Sequence, residues 1–310
     1  MTQQWYEVRQ QHSFGHKMML ILLRFFPASV MRFLAIPIGF FYYLSSQSVR
    51  EYSKIYLCHV KNPGEKVRSK DICFHIISFA INLVENVQGW AGKFSSKNIS
   101  FQNDDVDDLI KNIDNGQGVL LLISHLGNPQ FLKALASMGK TGGNRKIRIT
   151  SIADKKISAG FNQLLNEINP ESSMDIVSTD EIGPETIELL QDKLDEGEVI
   201  AIAGDRISDH TPRNLEIPFL GEKTKFPYGV FLLISLLNVP TYFITGLRKK
   251  DISINSKYDM FIKKNDVNFD CGRSERLERI KKSAENYVSN LENLCRSHPY
   301  QWYNFFDFWK

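Results

Sequence analysis

Val119-Leu120-Leu121-Leu122-Ile123-Ser124-His125-Leu126-Gly127-Asn128-Pro129-Gln130 is the stretch whose reading decides the fold. Five branched or long apolar residues in a row, with no helical spacing, predict a short strand buried on both faces. Asn128 and Pro129 then predict a helix start, as N-cap and first helical residue. His125 falls between them, in the crossover loop at the carboxyl end of the strand. Open α/β sheets place their ligands at that end. His125 is therefore a candidate site residue, and Gln130, in the first turn of the expected helix, is within reach of it. The bland alternative, a histidine that packs or caps in a loop, stays open on these residues alone.

Working outward, strand and helix signals alternate. Lys146 to Ile152, Met174 to Ser178 and Val199 to Ala203 predict strands, and Lys155 to Ile168 and Glu185 to Asp195 predict helices. This alternation implies an α/β fold with a mostly parallel central sheet flanked by helices. Beyond it, Leu215 to Phe219 is an apolar segment and Phe226 to Leu237 an apolar helix opened by Pro227. Thr241 to Leu247 and Tyr258 to Ile262 predict strands, and Ser274 to Arg296 a charged amphipathic helix. Upstream, residues 49–62 and 64–94 predict helices, the second with Ile72, Ile76, Phe79, Leu83 and Val87 at spacings of three and four.

Residues 18–44 are strongly apolar but interrupted by Arg24, Arg32, Pro27 and Pro37. A spanning helix needs about 20 mostly apolar residues in a row. The broken pattern predicts a helix pair lying in the headgroup layer, with Lys17, Arg24 and Arg32 snorkelling to phosphates. A buried core hairpin is the alternative. The expected organisation is a membrane-associating helical segment at 1–47 and one α/β domain at 48–310.

Composition sets outer limits. With 310 residues, 43% hydrophobic and 24% charged, the chain buries a sizeable core and is not disordered. A net charge of +3 argues against a nucleic-acid binder. The four cysteines lie far apart with no Cys-x-x-Cys pair, so reduced thiols and no metal site are expected. Neither a Gly-x-Gly-x-x-Gly turn, a phosphate-binding Gly-x-x-x-x-Gly-Lys loop nor a Gly-x-Ser-x-Gly elbow is present. What remains is His125 and a second loop, Gly204-Asp205-Arg206, at the end of another parallel strand.

Five segments taken together resemble the lipid A biosynthesis acyltransferase family, within the wider lysophospholipid acyltransferase superfamily. They are Ser-His-Leu-Gly-Asn at 124–128, Gly-Asp-Arg at 204–206, Pro-Phe-Leu-Gly at 218–221, Phe-Pro-Tyr-Gly-Val-Phe at 226–231 and the Gln-Trp-Tyr-Asn-Phe-Phe-Asp-Phe-Trp tail. Each is weak alone; their order is specific. The resemblance is nearest to the branch found in aryl-polyene pigment gene clusters. It implies acyl transfer from an acyl carrier protein or coenzyme A thioester, with no further cofactor, to a hydroxyl of a membrane lipid or glycolipid. The place implied is the cytoplasmic face of the cell inner membrane.

The family pattern has His, four residues, then Asp or Glu; this chain has His125 but Gln130. The resemblance implies His125 as general base. A glutamine oxygen accepts from the ring N–H, but it lacks the charge that stabilises an imidazolium. Asn128, Asp205, Arg206, Lys223 and Lys225 are expected at the substrate. Arg206 suits a phosphate clamp, and the two lysines precede a helix start. Phe219, Phe226 and Phe231 are expected to line an acyl channel, although such aromatic density also fits a core. Two other functions stay open: a lipid-binding partner that has lost turnover, because of Gln130, and a soluble hydrolase using His125 with water.

Overall fold

The computed structural model describes residues 26–62, 64–90, 98–102, 105–128, 147–153, 175–178, 182–207, 213–255 and 257–310. The expected helix at 155–168, Thr179 and Asp180, Pro129 and Gln130, and the apolar run before Phe26 lie outside them.

The quoted stretch forms β2, Val119–Ile123, at the centre of a seven-stranded sheet. Its order is β1-β9-β8-β2-β5-β3-β4, with β1 Ile99–Phe101, β3 Ile149–Ala153, β4 Asp175–Ser178, β5 Val199–Ala203, β8 Thr241–Arg248 and β9 Tyr258–Lys264. β2 runs parallel to β5 and β8, and β3 runs parallel to β4 and β5. β9 is antiparallel to β8, and β1 follows β9. The mostly parallel α/β sheet read from the sequence is what forms. Leu120, Leu121 and Leu122 are buried, as a strand covered on both faces requires. Each contributes about 1.5–3 kcal/mol by leaving water.

The described residues form seven helices. α1 spans Ala28–Ser45, α2 Gln47–Val60, α3 Ser69–Trp90, α4 Asp105–Asp114, α5 Pro184–Asp195, α6 Tyr228–Leu237 and α7 Arg273–Ser297. Two elements escaped the sequence reading: β1, only three residues long, and β7, Glu222–Pro227. β7 pairs with β6, Asn214–Phe219, as a separate antiparallel hairpin. It alternates exposed lysines with buried Thr224 and Phe226, so it carries no apolar run to see.

The N-terminal segment corrects the sequence expectation in two ways. Pro37 sits inside a continuous 18-residue helix instead of ending it. Arg32 does not snorkel: it is buried, its guanidinium 3.3 Å from Glu85 and donating at 2.7 Å to Gln88 and 3.0 Å to the Ile254 carbonyl. Met31, Ala35 and Gly39 pack on α3, where Gly39 lets the two helices touch: a Cβ there would lie 2.9 Å from the Ile77 Cα. Phe33, Ile38, Phe41 and Leu44, on the other face of α1, are exposed.

Glu85, fully buried on α3, also receives Arg248 at 2.7 Å. Arg248 ends β8 and donates further to the Ser78 carbonyl at 3.0 Å and the Tyr303 hydroxyl at 2.7 Å. A buried charge is tolerated only when paired and hydrogen-bonded. This network ties α1, α3, the end of β8 and the C-terminal tail into one unit.

Candidate active site

The sheet register builds the site. Ile123 on β2 pairs with Ala203 on β5. Two residues beyond each partner come His125 and Asp205, so the two loops leave the sheet side by side. Asp205 is 1% exposed and turns its carboxylate onto His125. Oδ1 accepts from the imidazole Nδ1 at 2.9 Å, and Oδ2 accepts from the His125 backbone N–H at 2.7 Å and the Trp302 indole N–H at 3.1 Å.

The His125 loop is held by backbone contacts to the tail and to β8. Leu126 bridges Trp302, and Gly127 N–H donates to the Gln301 carbonyl at 2.8 Å. The Tyr303 N–H donates to the His125 carbonyl at 3.1 Å. Asn128 N–H donates to the Gly246 carbonyl at 3.0 Å, and Thr245 donates to the Leu126 carbonyl at 2.6 Å. Gly127 has φ +70°, and any Cβ there would collide with the Gly246 carbonyl. Only glycine fits that position.

The electrostatics fix a tautomer. Burial would push the Asp205 carboxyl up, but His125, Arg206 and the donated hydrogen bonds hold it at about 2. Asp205 is thus an acceptor only, and Nδ1 must carry the ring proton. The lone pair of neutral His125 then sits on Nε2, which has no hydrogen-bond partner among the described residues. The side chain is 35% exposed. Burial and the Arg206 charge lower the His125 pKa below the usual histidine value, against the pull of Asp205. An unprotonated, outward Nε2 backed by an oriented carboxylate is the arrangement of a general base.

The bacterial lipid A biosynthesis acyltransferase family model matches residues 8–310. The chain belongs to that family. It is an acyltransferase of the lipid A type. A comparison with curated proteins finds no match.

Within the acyltransferase the remaining sequence candidates fall into separate places. Asp205, expected at the substrate, instead spends both carboxylate oxygens on His125 and Trp302. Arg206 stands beside it, donating to the Tyr303 carbonyl at 3.2 Å with its guanidinium carbon 5.6 Å from the Phe306 ring centre. Asn128 is buried next to the histidine loop. Lys223 and Lys225 occupy the outward, solvent-exposed face of β7.

Phe219, Phe226 and Phe231 are fully buried. Phe219 meets Trp302 and Phe308 edge-on, Phe226 meets Phe308 and Phe231 meets Tyr287. Among the described residues these three rings are packed in the core. The aromatic tail likewise packs into the domain, with Trp302 fully buried. Gln130 lies outside the described residues.

Sequence reasoning missed two participants. Asp205 as partner of His125 was legible in principle, because two parallel strands each carry a polar residue two places beyond their last apolar position. Trp302 carried no such signal: its link to Asp205 depends on tertiary packing over 97 residues of chain. Among the described residues, no three His, Cys, Asp or Glu side chains gather in a metal-binding group. The four cysteines are free thiols.

Proposed function

We propose that this acyltransferase works at the cytoplasmic face of the inner membrane. It moves a fatty or aryl-polyene acyl group from an acyl-carrier-protein or coenzyme A thioester to a hydroxyl of a lipid or glycolipid. His125 Nε2 takes the acceptor proton as that oxygen attacks the thioester carbonyl carbon. Collapse of the tetrahedral intermediate breaks the C–S bond. The departing sulfur takes the proton back from the imidazolium, leaving an ester and a free thiol. Asp205 holds Nδ1–H and stabilises the imidazolium. Arg206 offers the nearby positive charge, for developing negative charge or a substrate phosphate.

The single observation that carries this reading is the 2.9 Å contact between His125 Nδ1 and the buried Asp205 carboxylate. It also counts against the rival reading. An impaired binding partner was suggested by a glutamine in the acidic position of the family pattern, and here a carboxylate reaches the ring from the neighbouring strand. Membrane docking is supported by α1, whose 18-residue apolar window is only 22% buried; the apolar window of α3 is 61% buried and serves the core. The outer face of α1 suits an interfacial helix.

Mass spectrometry of lipids from cells with and without the protein tests the assignment. The expected result is an acylated lipid that requires both the protein and His125. Identical lipid profiles, with released fatty acid in place of a new ester, would instead favour hydrolysis.

A further inference from the structure

Away from His125, the starts of α6 and α7 enclose a cleft of about 470 Å³. Arg213, Arg273 and Arg276 line it, over a floor that includes Tyr228, Leu232 and Ile280. Among the described residues no acidic residue lines this cleft. Among the described residues none of the three arginines makes an ion pair. Glu275 lies on the same turn of α7, but its carboxylate is taken by Arg279 at 2.9 Å. The Arg213 guanidinium carbon sits 4.3 Å from the Tyr228 ring centre, which fixes its orientation.

The Arg276 Nε–H is buried and has no hydrogen-bond partner among the described residues. A buried donor left unmade is costly, and charged donors most of all. Arg213 and Arg273 are exposed and Arg276 is half-buried, and like charges gathered around one concavity carry a second cost, their mutual repulsion. Both costs are relieved by one multivalent anion. Phosphate fits better than carboxylate, because its oxygens serve several planar forks at once. The apolar floor adds a second requirement, that the phosphate carry an aromatic or hydrocarbon group.

We infer that this cleft binds a phosphate ester, the phosphate on Arg213, Arg273 and Arg276 and its attached apolar or aromatic portion on Tyr228, Leu232 and Ile280. Binding needs no acyl transfer, so it stands whether or not His125 is a base. In the sequence Arg213 lies seven residues beyond Arg206.

The test is calorimetric titration of the full-length protein in detergent with 3′,5′-adenosine bisphosphate and, separately, with monomeric lysophosphatidic acid. The expected result is saturable binding of at least one probe at concentrations below about 1 mM. Arg213→Gln/Arg276→Gln should weaken it about tenfold or more. His125→Ala and Lys223→Gln/Lys225→Gln should leave it unchanged. Binding of the nucleotide alone marks a coenzyme subsite, and binding of the lipid alone marks a headgroup subsite.

Phenylglyoxal labelling of the wild-type protein gives a readout independent of whether the double variant folds. The bound probe should protect Arg213, Arg273 and Arg276. No saturable binding of either probe, binding unaltered in the double variant, or no protection of these three arginines would overturn the inference.

Discussion

His125 and His75 are both tied to Trp302, one through Asp205 and the other directly, and each is hydrogen-bonded at Nδ1: His125 to Asp205 at 2.9 Å, His75 to Ser53 at 2.8 Å. Their other nitrogens differ. His75 Nε2 donates to the Trp302 carbonyl at 2.9 Å, so its ring is satisfied at both ends and fully buried. Burial depresses its pKa to about 4. His125 has no partner for Nε2 among the described residues, its side chain is partly exposed, and it has a charged partner in place of a hydroxyl. The two histidines share a tryptophan and do different work. His75 positions the Trp302 backbone, the Trp302 indole positions Asp205, and in the proposed mechanism His125 offers its lone pair to a substrate. A histidine becomes a base through an open nitrogen and a carboxylate behind it, not through burial alone.

The largest expected effect is on turnover. His125→Ala should lower kcat by about 10²–10⁴ while the melting temperature holds, since general-base groups contribute that much. Steady-state thioester assays with a lipid acceptor check this, and activity within a few fold of wild type would erase the distinction. His75→Ala should do the reverse. It leaves Ser53 and the Trp302 carbonyl unpaired beside a cavity, at a cost of about 2–4 kcal/mol in denaturant unfolding. The folded fraction should keep most of its activity.

The pH dependences sharpen the same contrast. Native His75 stays neutral down to pH 4 or so, while in the unfolded chain it takes a proton below its ordinary value. The stability it contributes is full above about pH 6.5 and lost as pH falls towards 4, on the order of 3 kcal/mol. His75→Gln should flatten that slope. For His125 the readout is rate. Arg206 disfavours the imidazolium, so Arg206→Gln should raise the His125 pKa and move the acid limb of kcat/KM to higher pH. An unmoved or downward-shifted limb would place Arg206 outside the electrostatics of the base. The smallest effect is reserved for Gln130→Glu, where activity should be kept or modestly raised. Complete loss would contradict the sequence expectation that this position serves the histidine.

Much of this was legible before any coordinates. The apolar run at 119–123 and its likeness at 199–203 set the parallel sheet, and their polar ends set the site. What was not legible depended on partners distant in sequence. Arg32 looked like a membrane anchor because its neighbours are apolar; Glu85, 53 residues on, draws it inward. Phe219, Phe226 and Phe231 looked like a channel, but the tail packs Trp302 and Phe308 against the first two, and Tyr287 packs against Phe231. Gln130 was the partner read for His125, because a loop partner on an adjacent strand requires knowing that β2 and β5 are neighbours in register.

Asp205→Asn puts the carboxylate itself to the test. Its acyl-transfer kcat should fall about 10²–10⁴-fold with little change in KM and an unchanged fold, as acid-to-amide substitution behind a catalytic histidine does elsewhere. Near-normal turnover in Asp205→Asn, together with its abolition in Gln130→Ala, would contradict the account and hand the histidine back to the amide.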